Sequence, residues 1–272
     1  MGINLQVLGS TSAGNCTVIW DNRNALLIDC GFSQKYIYQN LKDINLDFTH
    51  ISGLLITHTH TDHVNKSILS RFVKEHIPIY CHKKVYKDLS KKYQEIALAR
   101  KLNLLNTFSK ELFTIGSFKA QAFEVPHDSS GGCFGFNIFS RSNSSKKKIT
   151  VATDLGYPAD TILPHFIDSD LIVIEANHDS DMLENSPRPR WLKKRITRIG
   201  HLSNSQCADL LKKVLSRSNK LPKAIILAHI SQECNTNNDA VGCIKRMLGQ
   251  NNYNKIKVIE THKRKANNTV SI

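Results

Sequence analysis

The tightest constraint on this chain is the run Thr57-His58-Thr59-His60-Thr61-Asp62-His63, which directly follows the apolar stretch Gly53–Ile56. Three imidazoles and a carboxylate within six residues carry too much polarity for a packed interior. His58 and His60 are two residues apart, so in extended chain they share a face. Asp62 and His63 fall where the chain turns toward the next helical segment. One loop therefore offers two ligand pairs to two adjacent ions, and a mixture of imidazole and carboxylate suits Zn, Mn or Fe. Any fold for this chain must end a buried strand at an open edge, with more polar groups facing the same place.

Other segments supply such groups. His127 follows Phe123-Glu124-Val125-Pro126, Asp154 follows the apolar run 149–153, and His229 follows the run 225–228. Alone, each reads as a capping or hydrogen-bonded residue ending a strand; as a set beside the histidine run they read as metal ligands. Alternation and apolar runs predict strands over 3–8, 16–20, 25–29, 53–57, 78–81, 112–115, 118–125, 133–139, 148–153, 170–175, 223–228 and 255–260. Helical spacing predicts helices over 33–44, 66–74, 83–100, 203–215 and near 238–248. Ser203 and Gln206 fit a capping box ahead of the fourth of these, and 140–148 reads as a polar, basic hairpin tip. Two sheets between helical layers fit this order. No Pro/Gly/Ser linker divides the 272 residues, so a single domain is expected.

The spaced set His58, His60, Asp62, His63, His127, Asp154 and His229 resembles the metallo-β-lactamase superfamily. That resemblance implies an α/β fold, a four-layered αβ/βα sandwich of two mixed sheets flanked by helices. It implies two divalent ions, with His58, His60 and His127 on one and Asp62, His63 and His229 on the other. Asp154 would bridge them. The segments Gly9–Cys16, Leu27–Gly31, Glu175–Asp179, Gly200–Asn204 and Ala228–Ser231 are similar to the YycJ/WalJ group, a bacterial branch associated with DNA exonuclease activity. In phosphodiesterase branches a similarly placed Gly-His turn sets a histidine beside the metals, which implies that role for His201 as the alternative to a helix-entry hydrogen bond. Cys30, Thr59 and Thr61 depart from the group's pattern, and none is an expected ligand.

Other residues carry open readings. Glu175 and His178 end a strand and either line the groove or orient ligands; Asp29 is expected to hold a ligand histidine. Ser12 and Asn15 belong to a tight turn or touch phosphate, and Ser203 and Asn204 sit in the Gly-His turn that opens a helix. The net charge of +14 favours a polyanion. Arg188, Arg190, Lys193, Lys194, Arg195 and Arg198, with Trp191 among them, form either a nucleic-acid surface or a solvated helix face. His50, His76, His82, His165 and His262 have no ligand context.

The N-terminus has no basic and apolar leader, Gln6 breaks the myristoylation pattern, and no apolar stretch is long enough to span a membrane. Seven scattered cysteines without a CxxC pair read as reduced thiols, so a cytoplasmic protein is expected. The functional expectation is hydrolysis of nucleic acid, DNA before RNA, with Asp62 handling the nucleophile and His201 the leaving oxygen. A small-molecule hydrolase of a thioester, lactam or cyclic phosphodiester is the main alternative. A metal-dependent binding protein is the other.

Overall fold

The computed structural model describes residues 2–109, 112–140 and 146–272. The chain first lays down β1 (Asn4–Thr11), β2 (Gly14–Trp20) and β3 (Ala25–Ile28) as an antiparallel meander. It continues in parallel through β4 (Ile51–Ile56), β5 (Ile79–His82) and β6 (Leu105–Phe108). The connections carry α1 (Gln34–Asp43), α2 (Lys66–Lys74), α3 (Lys83–Lys92) and α4 (Gln94–Lys101). A second sheet follows: β7 (Leu112–Ile115), β8 (Phe118–Val125), β9 (Cys133–Ser140) and β10 (Lys148–Ala152) pair antiparallel. Then β11 (Leu171–Glu175), β12 (Ala224–Ala228) and β13 (Lys257–Glu260) add in parallel. Between them run α5 (Leu163–Phe166), α6 (Ser180–Asn185), α7 (Arg190–Arg195), α8 (Asn204–Arg217) and α9 (Asn237–Gln250). Finally β14 (Val270–Ser271) returns to the first sheet beside β1, giving two sheets of seven strands.

The sheets share one apolar interior. Strand alternation decides which side each residue joins. In β11, Leu171 and Val173 join the core shared with Leu54, Phe118 and Phe136, while Ile172 and Ile174 join the layer with Leu210, Leu211 and Ile244 of α8 and α9. A strand buried on both faces must be apolar throughout, which is why β11 and β12 read as unbroken apolar runs. Ser203 and Gln206 do form the capping box at the start of α8.

Several elements differ from expectation. The span 83–100 is two helices, because Tyr93 is extended (φ −129°, ψ 114°) and buried, its hydroxyl donating to the Val64 carbonyl at 2.9 Å. Burying that ring outweighs continuing the helix. The short β6, β14, α5, α6 and α7 and a π-type turn at Ile196–Gly200 have too few residues to show a period. Of the expected tip at 140–148, residues 141–145 lie outside the described residues.

Candidate metal centre

Strand direction gathers the polar residues. β3, β4, β8, β10, β11 and β12 all end at the same edge of the sandwich, and the candidate residues lie at or just beyond those ends. Asp29, Asp154 and His229 each adopt a left-handed backbone, with φ of 59°, 58° and 53°. Non-glycine residues there cost roughly 1–3 kcal/mol each, and such strain persists where the surroundings over-determine it. Here each bend terminates a strand; those at Asp154 and His229 turn expected ligands into the cleft, and the one at Asp29 turns its carboxylate onto His63.

All seven expected ligands meet there. Donor atoms of His58, His60 and His127 lie within 4.8 Å of one another, as do those of Asp62, His63 and His229. Asp154 stands between the groups: its Oδ2 is 3.1 Å from His63 Nε2, and its Oδ1 is 3.8 Å from His127 Nε2 and 3.7 Å from His229 Nε2. Asp62 Oδ2 is 3.4 Å from both His63 Nε2 and His229 Nε2.

The hydrogen bonds fix the tautomers. His63 Nδ1–H donates to Asp29 Oδ2 at 2.6 Å, His127 Nδ1–H to the Gly200 carbonyl at 2.8 Å, and His229 Nδ1–H to Glu175 Oε1 at 2.9 Å. Thr57 Oγ1 donates to Asp29 Oδ2 at 2.8 Å and so accepts from His58 Nδ1–H at 2.9 Å. Each of these rings therefore turns Nε2 inward: on His58 and His127, which burial keeps neutral, it is a lone pair, while on His63 and His229 it faces the carboxylates of Asp62 and Asp154. A carboxylate against such a nitrogen calls for positive charge between them, either a metal ion or the ring's own Nε2 proton. Buried His58 Nε2 has no hydrogen-bond partner among the described residues, and Asp154 Oδ2 has none beyond its approach to His63. The donor set thus fits divalent ions.

The titration shifts divide the rings into two groups. Burial lowers the pKa values of His58, His60 and His127, keeping them neutral and ready to bind. Burial also opposes charge on His63 and His229, but carboxylates, Asp154 foremost, outweigh it and raise both. Burial would raise Asp62 and Asp154, yet His63 acts on the first and His229 on the second to hold both below the carboxylate range. The cleft is organised around positive charge.

Around this centre Glu175 is fully buried and braces two rings. Its Oε1 accepts from His201 Nδ1 at 2.8 Å and from His229 Nδ1, while Oε2 accepts from the Leu155 amide at 2.7 Å. His201 stacks on His229 with centroids 5.0 Å apart, and its side chain remains 23% exposed to the cleft. Asn15 Nδ2 lies 3.2 Å from Asp62 Oδ2 and 2.9 Å from His63 Nε2. Ser10 Oγ accepts from the His229 amide at 2.8 Å.

Other expected residues stand apart. Ser12 is exposed in the β1–β2 turn. Ser203 caps α8, and Asn204 pairs with Asn235 at 3.0 Å. His178 is buried, its Nδ1 without a hydrogen-bond partner among the described residues, and its pKa is pushed down by burial to about 4. Of the basic stretch, Arg188 pairs with Glu233 at 2.8 Å, Arg195 with Asp128, and Lys193 with the Glu184 carbonyl. Arg190, Lys194 and Arg198 are exposed. Thr57 and Asn177 escaped the sequence reading, although Asn177 Nδ2 donates to the His229 carbonyl at 2.7 Å. A hydroxyl just before the histidine run was the only available signal for Thr57.

Residues 24–230 match the family model described as the β-lactamase superfamily domain. The chain is 28% identical over 270 residues to Exodeoxyribonuclease YycJ of Bacillus anthracis, covering 96% of this chain and 95% of that protein. It is 30% identical over 243 residues to Exodeoxyribonuclease WalJ of Streptococcus pneumoniae strain D39, covering 86% and 84%. Its fold is similar to the metallo-β-lactamase fold protein YhfI of Bacillus subtilis, with TM-score 0.71, 15% identity and full coverage of both chains. The chain belongs to the metallo-β-lactamase superfamily, within its YycJ/WalJ group, and is a metal-dependent hydrolase.

Proposed function

We propose that this hydrolase cleaves phosphodiester bonds in DNA, as an exonuclease, using a pair of divalent ions. The carrying observation is the cluster itself, where two groups of candidate ligands meet at Asp154 and a partly exposed His201 sits beside them. The names of the relatives, exodeoxyribonucleases over most of the chain, support DNA as the substrate class. His58, His60 and His127 would hold one ion and Asp62, His63 and His229 the other, with Asp154 shared. Zn and Mn both suit these ligands. Ligands drawn from both sheets make the whole chain one catalytic unit. The seven free cysteines support a cytoplasmic location.

Divalent ions held by these residues would supply neutralisation of charge on the scissile phosphate and acidification of water. Asp62, about one-fifth exposed, orients the attacking water and accepts its proton. As the new P–O bond forms, the bond to the leaving oxygen breaks. His201, whose Nδ1–H is held by Glu175, delivers a proton from Nε2 to that oxygen. Glu175 holds the ring in place for this. Asp29 and Thr57 do no chemistry; they hold the tautomers of His63 and His58.

The test is hydrolysis of end-labelled single- and double-stranded DNA and RNA by the metal-loaded protein. Asp62→Asn and Asp154→Asn should each lower DNA cleavage by at least about 1,000-fold with an unchanged circular dichroism spectrum. Near-normal cleavage by both variants would exclude the mechanism. Faster turnover of a thioester or lactam probe than of DNA would favour a small-molecule hydrolase.

A further inference from the structure

Beside the metal centre lie two open clefts whose chemistry differs. One runs from His127 along β8 past Phe123, Glu124, Tyr157 and His165; it has an acidic side chain and no Lys or Arg. The other, a cavity of ≈ 530 Å³, is lined by Ala13, Gly31, Tyr36 and Asn65 together with Lys35 and Arg264, and by no acidic side chain. Its wall adjoins the ligands. Gly31 packs so closely under Asp62 that a Cβ there would lie 1.7 Å from the Asp62 carbonyl oxygen.

The cationic side is firmly mounted. The segment carrying Lys263, Arg264 and Lys265 is pinned at its start by the Ser10 amide donating to the His262 carbonyl at 3.2 Å. At its end Asn267 Oδ1 accepts from the Val7 amide at 2.7 Å. Both anchors lie on β1, whose Ser10 also holds His229. Lys35, Lys263, Arg264 and Lys265 are exposed and, unlike Arg188 and Arg195, form no ion pair among the described residues.

We propose that the cavity lined by Lys35 and Arg264 holds the sugar-phosphate backbone of the DNA strand next to the scissile phosphate. This rests on the nuclease reading above. Fixed cations without acidic neighbours attract a polyanion, and phosphate contacts set register without reading sequence. The cleft on the far side has no Lys or Arg in its lining, and its one carboxylate, Glu124, lies 3.7 Å from Lys84, so the unpaired cations favour this side for the backbone. Lys263 and Lys265 extend the same field outward along the strand.

The experiment measures KM and kcat of the metal-loaded protein on a single-stranded oligonucleotide across a salt series. Neutralising two phosphate contacts in the double variant Lys35→Ala/Arg264→Ala should raise KM about tenfold at low salt, with kcat within about twofold. The plot of log(1/KM) against log[salt] should become shallower by about 1.4, at ~0.7 per single-strand phosphate. The charge-conserving Lys35→Arg/Arg264→Lys pair should keep the wild-type KM and slope, which separates charge from misfolding. Lys119→Glu, exposed at the distant start of β8, should change neither. An unchanged KM and slope in the alanine pair, or an equal effect from Lys119→Glu, would overturn the assignment. Wild-type protein that hydrolyses a small phosphodiester but leaves the oligonucleotide uncut would instead bring down the nuclease reading, and this proposal with it.

Discussion

At the residue scale, the centre depends on groups that never meet substrate. Asp29 takes the Nδ1–H of His63, the Thr57 amide at 2.9 Å and the Thr57 hydroxyl, so one carboxylate sets two imidazole tautomers. Removing such an orienting partner typically costs 10–100-fold in metal affinity. Asp29→Ala should therefore weaken binding of one ion by about that factor while the fold persists. Competition with a chromophoric chelator would read it, and unchanged affinity would show that His63 is oriented by something else. Asp29 and Asn15 were visible in the sequence as polar residues beside turns. That Asp29 would hold a ligand histidine was expected, but not which one, and the partner of Asn15 was not visible, because each bond spans more than thirty residues: Asp29 to His63, Asn15 to Asp62. Asn177, Thr57 and the roles of Cys133 and Gly31 became apparent only through contact. Cys133 Sγ sits 3.6 Å from His58 Nδ1.

At the element scale, α8 and β10 offer separate tests. The Ser203 hydroxyl accepts from the Gln206 amide at 3.2 Å, and the Gln206 side chain accepts from the Ser203 amide at 2.9 Å. Loss of an N-cap costs about 1 kcal/mol, so Ser203→Ala should lower Tm by about 2–4 °C. No change in a melting curve would mean that water replaces the cap without loss. At the start of β10, burial pushes the Lys148 ammonium down from 10.5 to about 8, although it donates to the Ile167 carbonyl at 2.6 Å. Between those values the unfolded chain binds the proton more tightly than the folded one, so Lys148 contributes stability that rises with pH from about 8 to 10.5. In Lys148→Met that contribution should vanish. The difference in Tm between wild type and variant should therefore drift in favour of wild type over this window, and a flat difference would contradict the shift. Long periodic elements such as α2 and α8 were legible from their spacing. The break at Tyr93 was not, because burial of one ring decided it.

At the scale of the whole molecule, the ligands come from both sheets, so ion binding ties the two halves of the sandwich together. An ion at a hundredfold excess over its Kd adds about 2.7 kcal/mol of stability. Chelation should lower Tm by several degrees and re-addition of Zn or Mn should restore it. An identical melting curve with and without bound metal, verified by elemental analysis, would refute the site. The basic excess is divided rather than uniform: part of the stretch around α7 is spent on ion pairs within the chain, while Lys35 and the segment 263–265 keep theirs. By itself the sequence determined the local matters: where long strands and helices lie, which strand ends carry polar groups, and that imidazoles and carboxylates at such ends call for metal. These follow from periodicity and side-chain chemistry over short spans. Only the tertiary structure decided which ring nitrogens are held by hydrogen bonds, that Glu175 braces His201 and His229 together, and which cations line a cavity without an ion pair. Those outcomes depend on angstrom-scale approach between residues far apart in the chain, and on whether an acidic partner stands near. Spacing along the chain carries neither kind of information.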